Sequence, residues 1–202
     1  MPTPTKIVCI GRNYLEHARE LGNDVPSEPL VFLKPPSSLI GNGEAIVRPT
    51  HMSNRVEFEG EIGIVIGKRL KDAGEDEAVA SIGGIVALND VTARDLQQKD
   101  SQWSRAKGFD TFCAVGNVYE GAVDLQGIEV FTRLNGEVRQ HAKSSEMAFP
   151  IPFLLSYVSK IMTLMPGDLL ATGTPAGVGP LSSGDEVEVE LVGLSRVKNP
   201  VR

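Results

Sequence analysis

The sequence is short of the residues that usually advertise chemistry or compartment. Its 202 residues hold two cysteines, three histidines and one tryptophan. Cys9 and Cys113 lie far apart, and neither has a second Cys or a His at metal-ligating spacing. That excludes a cysteine zinc site and a disulfide framework, so both read as buried reduced thiols. Excess positive charge is missing too: 20 Lys and Arg against 26 Asp and Glu give a net charge of -6. A chain of that balance has no footprint for a phosphate backbone, which argues against nucleic acid as a partner. No apolar run approaches the length needed to span a bilayer, and the opening "MPTPTKIVCIGRNY" has no extended apolar core of a secretory leader. A cytoplasmic protein with neither a nucleic-acid nor a membrane partner is the expectation.

Hydrophobic residues make up 41% and charged residues 23%, which places the chain among globular rather than disordered sequences. Its length suits one catalytic-size domain over residues 1–202. Short β-type runs dominate: "KIVCIG", "PLVFLK", "EFEGEIGIVIG", "GGIVALND", "IEVFTRL", "DLLATG" and "DEVEVELVG". Turn signals separate them, above all Asn135-Gly136, which predicts a tight hairpin. Helical patterns are fewer. "NYLEHAREL" starts at Asn13 as a candidate N-cap, and "EDEAVASI" and "TARDLQQKD" are short. "IPFLLSYVSKIMTL" carries Phe153, Leu154, Tyr157, Val158, Ile161 and Met162 at helical spacing as a core-packing stripe. Together these predict a mostly β protein with peripheral helices, classed α+β, as an irregular sandwich or roll.

The stretch "VEFEGEIGIVIG" sets Glu57, Glu59 and Glu61 at every second position ahead of an apolar run. On one strand, all three would face one side. A solvated acidic face explains such a row, and "DEVEVELVG" repeats it with Glu186, Glu188 and Glu190. A second reading stays open beside it. Carboxylates two apart on a strand are separated by about 6.6 Å of rise, close enough to grip one hard cation such as Mg²⁺, which is usually held by a few carboxylates. Asp90, at the polar end of "GGIVALND", is a candidate third ligand.

His17 and Glu20 sit three apart and share a helix face. A carboxylate beside an imidazole fixes its tautomer and raises its basicity, which makes a usable general base; a solvated helix surface accounts for the pair equally. Lys107, in "RAKGFDTF", carries no signal by itself. The loop "GTPAGVG" lacks the Lys-Ser/Thr ending of a nucleotide-binding loop and reads as a tight turn or as a backbone N–H cradle for a substrate carboxylate. Trp103 reads as packing or a lid anchor.

Taken in order, "GRNYLEHARELG", "PLVFLKPPSSLIG", "EFEGEIGIVIG", "LNDVTARDLQ", "AKGFDTF", "LNGEVRQ" and "GDLLATGTPAGVG" resemble the fumarylacetoacetate hydrolase family over almost the whole chain. The length matches its small members: acylpyruvate hydrolases, oxaloacetate decarboxylases or tautomerases, and hydroxyheptadienedioate isomerases. The resemblance implies a mixed β-sandwich roll, a homodimer, and Mg²⁺ or Mn²⁺ held by Glu59, Glu61 and Asp90. It leaves Glu57 to the surface or to support of the ligands. It makes His17 and Glu20 a base dyad, Lys107 an electrostatic stabiliser, and Arg12, Asn13, Gly173 and Thr174 substrate contacts.

The implied substrate is a small 2-oxo or dicarboxylic acid that chelates the metal and passes through an enolate. Hydrolysis of a C–C bond in an acylpyruvate-type acid is the first expectation. Decarboxylation or tautomerisation of oxaloacetate and isomerisation of a hydroxydienedioate stand as alternatives, with a non-catalytic metal-binding scaffold as the reading from another class.

Overall fold

The computed structural model describes residues 3–16 and 26–202. In chain order its strands begin with β1 (Ile7–Gly11), β2 (Leu30–Lys34), β3 (Leu39–Ile40), β4 (Val56–Phe58) and β5 (Gly60–Ile66). They continue with β6 (Ile82–Asp90), β7 (Thr92–Ala93), β8 (Cys113–Val115), β9 (Glu129–Leu134) and β10 (Glu137–Lys143). The last four are β11 (Leu169–Ala171), β12 (Gly179–Pro180), β13 (Glu186–Leu191) and β14 (Ser195–Pro200). Among the described residues helices are short and few: α1 (Glu75–Ala80), α2 (Arg94–Lys99), α3 (Ser104–Lys107) and α4 (Ile151–Ile161). No helix among the described residues is long and apolar enough to cross a membrane. The protein is mostly β with peripheral helices, as its turn-punctuated runs predict.

Seven strands form the principal sheet in the order β2-β1-β11-β5-β6-β8-β3, beside a four-stranded sheet β10-β9-β13-β14 and a small one, β12-β4-β7. Away from the edge strands β2 and β3, both faces of the large sheet are buried. Along β1, Ile7 and Cys9 join one apolar cluster while Val8 and Ile10 join another; along β6, Val86 and Leu88 oppose Ile85 and Ala87 in the same way. That explains why "IVCIG" and "GGIVALND" are continuous apolar runs, since alternation belongs to strands with one wet face.

The sheet is strongly curled. Three strands stand between β2 and β6, which in a flat sheet is about 19 Å at the usual spacing of neighbouring strands. Yet Lys34 Nζ at the end of β2 lies 2.5 Å from Asp90 Oδ1 at the end of β6. The concave face therefore carries Ile7, Cys9, Val86, Leu88 and Cys113, and strand parity puts Glu61, Asp90 and Lys34 at the mouth of that concavity.

The convex face packs on the four-stranded sheet and α4. Alternation in β13 sends Val187, Val189 and Leu191 inward, while its acids face outward and pair with Lys198, Arg133 and Arg196. The hairpin β9–β10 turns at Asn135 and Gly136, both at positive φ (53° and 85°), the left-handed pair that a two-residue hairpin turn requires.

In α4 the buried stripe is rotated from the one expected. Ile151, Leu154, Leu155 and Val158 enter the core. Phe153 stacks between Phe149 and Tyr157 on the flank. Ile161 is exposed, because the helix stops there and Met162 is already extended.

The two large layers pack closely at Gly60. A methyl group there would lie 1.8 Å from Thr132 Oγ1, on the facing sheet. Gly60→Ala is expected to cost about 1–3 kcal/mol, the usual penalty for overpacking a filled interior. Thr132→Ala should recover part of that loss in the double variant; denaturant unfolding of the three variants measures the coupling.

Candidate metal centre

Glu57, Glu59 and Glu61 do not lie on one strand. β4 ends at Phe58, Glu59 occupies the junction, and β5 starts at Gly60 in the large sheet. The crossing is pinned by backbone partners: Glu59 N–H donates to Asn89 Oδ1 (3.0 Å) and Gly60 N–H to Gln140 Oε1 (2.9 Å). The Glu59 carbonyl accepts from Asp90 N–H (2.8 Å), so the junction and the end of β6 are locked side by side.

One oxygen from each of Glu59, Glu61 and Asp90 lies within 4.8 Å of the others, and all three residues are buried. Glu57 is buried as well, not at the surface. Its carboxylate accepts from Arg55 Nε (2.6 Å) and Arg94 Nε (2.7 Å). Arg94 Nη2 then donates to Glu59 Oε1 (2.7 Å). Glu57 thus supports a candidate ligand through an arginine.

Lys107, at the end of α3, lies 2.8 Å from Glu59 Oε2 and 2.6 Å from Asp90 Oδ2. Its ammonium also sits over the Phe32 ring, 5.2 Å from the centroid. Burial pulls the lysine's pKa down, but Asp90 and Glu59 outweigh it and hold the group protonated.

Glu61 is treated differently. Burial, and then the adjacent Asp90 and Glu59 carboxylates, push its pKa well above the usual carboxylate range, against the weaker pull of Lys107 and the Gly173 N–H. A buried, all-oxygen cluster with one uncompensated carboxylate suits a hard divalent cation such as Mg²⁺ or Mn²⁺, which supplies the missing charge.

The substrate-side residues divide. Arg12 and Thr174 line a cleft of about 400 Å³ with Phe32, Glu59, Arg94, Trp103 and Lys107. Arg12 holds a left-handed φ of 56°, an uncommon backbone for a long side chain. Gly173, φ 100°, donates its N–H to Glu61 Oε2 at 2.8 Å. Its cradle therefore holds a candidate ligand. A Cβ there would meet Asn13 Cβ at 2.8 Å.

Asn13 spends its amide on the backbone, donating to Thr172 and Phe149 carbonyls and accepting from Phe149 N–H. Thr174 Oγ1 bonds the Gly60 carbonyl and Gln140. His17 and Glu20, the candidate base dyad, lie outside the described residues.

Trp103 packs edge-on against Phe32 with centroids 5.3 Å apart. A Cβ on Gly11 would come within 2.9 Å of the indole, so glycine is what admits the ring. Both cysteines are free and buried; burial pushes the Cys113 thiol up to about 12 and Cys9 well above its ordinary value.

Several members of this site escaped sequence reasoning, among them Phe32, Lys34, Asn89, Arg94 and Gln140. The one available signal was a charged residue closing the apolar run "PLVFLK".

A sequence profile of the family described as fumarylacetoacetate (FAA) hydrolase, C-terminal, matches residues 6–202. The chain belongs to the fumarylacetoacetate hydrolase family. Within it, the chain is 44% identical over 200 residues to the mitochondrial oxaloacetate tautomerase of Arabidopsis thaliana, covering 96% of this chain and 89% of that one.

Among solved structures it resembles a 2-hydroxyhepta-2,4-diene-1,7-dioate isomerase from Mycobacterium marinum, with a TM-score of 0.90 and 43% identity over 98% of this chain and 75% of that one. It also resembles a fumarylpyruvate hydrolase from Pseudomonas aeruginosa in complex with Mn²⁺ and pyruvate, with a TM-score of 0.91 and 29% identity over 97% and 88% of the two chains. The family's fold thus accounts for the curled sheet, and the cleft described above lies in a family enzyme.

Proposed function

We infer that the chain is a divalent-cation-dependent enzyme of keto–enol chemistry, interconverting the keto and enol forms of a small 2-oxo dicarboxylic acid of the oxaloacetate type. The observation that carries this reading is the convergence of Glu59, Glu61 and Asp90 beside the buried Lys107 ammonium, where Glu59 and Lys107 line a cleft together with Arg12 and Arg94. Glu59, Glu61 and Asp90 would hold Mg²⁺ or Mn²⁺. Bound there, the cation supplies Lewis-acid polarisation of a 2-oxo acid's oxygens, which acidifies the adjacent C–H.

The chain's own groups do the rest. Arg12 favours an anion in a cleft whose volume suits a small acid. Lys107 stabilises negative charge as it builds on the substrate's 2-oxygen. His17, oriented by Glu20, takes the proton from C3, and returning it to oxygen completes the enol. Phe32 and Trp103 give the cleft an apolar wall, and enolisation needs no attacking water.

The sequence by itself ranked C–C hydrolysis first. The tautomerase relative is far closer in sequence than the hydrolase neighbour, so enolisation takes precedence. Hydrolysis of an acylpyruvate remains the second reading, favoured by the likeness to an enzyme whose structure holds pyruvate. There His17 would draw its proton from water.

Ultraviolet absorbance of the enol tests both readings. With Mg²⁺ or Mn²⁺ the protein is expected to accelerate decay of enol oxaloacetate without forming pyruvate, and EDTA should abolish the effect. Pyruvate with CO₂ would mean decarboxylation, and pyruvate from acetylpyruvate or fumarylpyruvate would promote the hydrolase reading. No cation-dependent change with any of them would leave a non-catalytic scaffold. His17→Ala is expected to lower the rate by about 10²–10⁴-fold with cation binding retained; unaltered turnover would remove the dyad.

A further inference from the structure

The three acids share one arrangement: each has one oxygen held from the scaffold side. Asp90 Oδ1 accepts from Lys34 Nζ at 2.5 Å, and Glu59 Oε1 from Thr92 Oγ1 at 2.9 Å and Arg94 Nη2 at 2.7 Å. Glu61 Oε2 accepts from the Gly173 N–H at 2.8 Å. The second oxygens of Asp90 and Glu59 meet at one ammonium, that of Lys107.

A buried donor behind one oxygen fixes the plane of a carboxylate and turns its other oxygen outward. On Asp90 and Glu59 that outward oxygen is the one at Lys107, and it keeps a lone pair for a cation. Cations differ in what they ask of it. Mg²⁺ demands a near-ideal octahedron of oxygens at about 2.0–2.1 Å, whereas Ca²⁺ takes about 6–8 at about 2.3–2.6 Å and often grips both oxygens of a carboxylate.

Among the charged donors Lys34 stands apart. Its side chain is fully buried and is not part of the cleft wall. Besides Asp90, it donates to the Val91 carbonyl (3.2 Å) and faces the Phe112 ring at 6.0 Å. It reaches Asp90 only because the curl brings β2 round to β6. Lys34 therefore acts from behind Asp90 and touches no substrate.

The geometry points to Lys34 as a positioning residue that confines Asp90 to one-oxygen coordination and so tunes the centre for Mg²⁺ or Mn²⁺ against Ca²⁺. This rests on the metal reading of the site given above. A buried donor behind a ligand acts as an outer-shell partner, whose loss typically lowers metal affinity by about 10–100-fold. Here the loss falls unevenly: freeing Asp90 Oδ1 costs the small cation its ordered ligand and gives the large one an extra oxygen.

Calorimetric titration of chelator-stripped protein with Mn²⁺, Mg²⁺ and Ca²⁺ tests it. Lys34→Met is expected to narrow the preference for Mn²⁺ over Ca²⁺ by about tenfold or more. An equal loss for all three cations would mean a merely structural lysine and overturn the proposal. If Lys34→Met does not fold, crystals of the wild-type protein soaked in Ca²⁺ decide: Asp90 should coordinate through Oδ2 alone with Oδ1 still on Lys34. Asp90 gripping Ca²⁺ through both oxygens would overturn it. Failure of the wild type to bind any of the three cations would instead overturn the metal reading itself, and this proposal with it.

Discussion

Glu61→Gln is expected to make the metal-free protein more stable while removing its response to divalent cations. Among the described residues, Glu61 is the one member of the acid cluster to which no lysine or arginine is bonded directly; the Gly173 N–H is its donor. That bond survives the change, since a glutamine carbonyl accepts it as well. What disappears is the charge that Glu61 takes on, against burial and beside Asp90 and Glu59, once the pH exceeds its raised folded value.

The sign of the pH dependence follows. Glu61 has a folded-state pKa raised above its unfolded value. Its contribution is therefore fully present below the ordinary carboxylate range, about 4.3, and is lost as pH rises through the raised folded value. Metal-free wild type should lose stability over that window, and Glu61→Gln should lack this loss. Each kcal/mol recovered is worth about 2–4 °C in a chain of this size.

Cation binding reverses the order. A ligand at a hundred times its dissociation constant stabilises the folded state by about 2.7 kcal/mol. The wild type should gain this with Mn²⁺, and the variant, one anionic ligand short, should bind about a hundredfold more weakly or worse. Thermal unfolding with and without Mn²⁺ at two pH values reads both effects. A variant no more stable than wild type without metal, or one still shifted by Mn²⁺, would break the assignment of Glu61.

That assignment also marks where sequence reasoning reaches its limit. Turn chemistry at Asn135-Gly136 and the apolar runs of β1 and β6 were legible, because they depend on neighbours in the chain. The acid row was legible only as a pattern. Alternation grouped Glu57 with Glu59 and Glu61, yet the chain leaves one sheet for another between Phe58 and Gly60. That break, fixed by Asn89 and Gln140 from distant strands, sets Glu57 apart from Glu59 and Glu61, and Arg94 bridges it by bonding Glu57 and Glu59 together.

Resemblance to a family supplied the division that periodicity could not. Lys34 was illegible for a related reason. A lysine ending an apolar strand reads as a solvated strand terminus, and nothing local announces the curl that buries it beside Asp90. The outward acids of β13 carry the same alternation as the site, but they pair with surface cations.

Arg94→Met is expected to be the most damaging substitution in the acid network. The side chain is buried and engages both Glu57 Oε2 and Glu59 Oε1 at 2.7 Å, with Nη1 on Gln97. Glu59 and Glu57 outweigh the burial that pulls its pKa down, so the guanidinium stays charged. Removing it leaves Glu57, among the described residues, with Arg55, whose side chain is 57% exposed, and takes from Glu59 one of its buried cations.

Breaking a buried pair by deleting one partner costs about 3–5 kcal/mol, because an uncompensated charge stays behind. Arg94→Lys should recover only part of this, since a single ammonium lacks the rigid fork that reaches two carboxylates at once. Glu57→Gln in the Arg94→Met background should restore stability, because it removes the charge left stranded; in the wild-type background it should destabilise. Opposite signs for one substitution in two backgrounds are a coupling that independent sites do not produce. Urea unfolding of the four proteins measures it. If Arg94→Met stays within about 1 kcal/mol of wild type, well below the cost of stranding a buried charge, the bridge does not hold Glu59 in place.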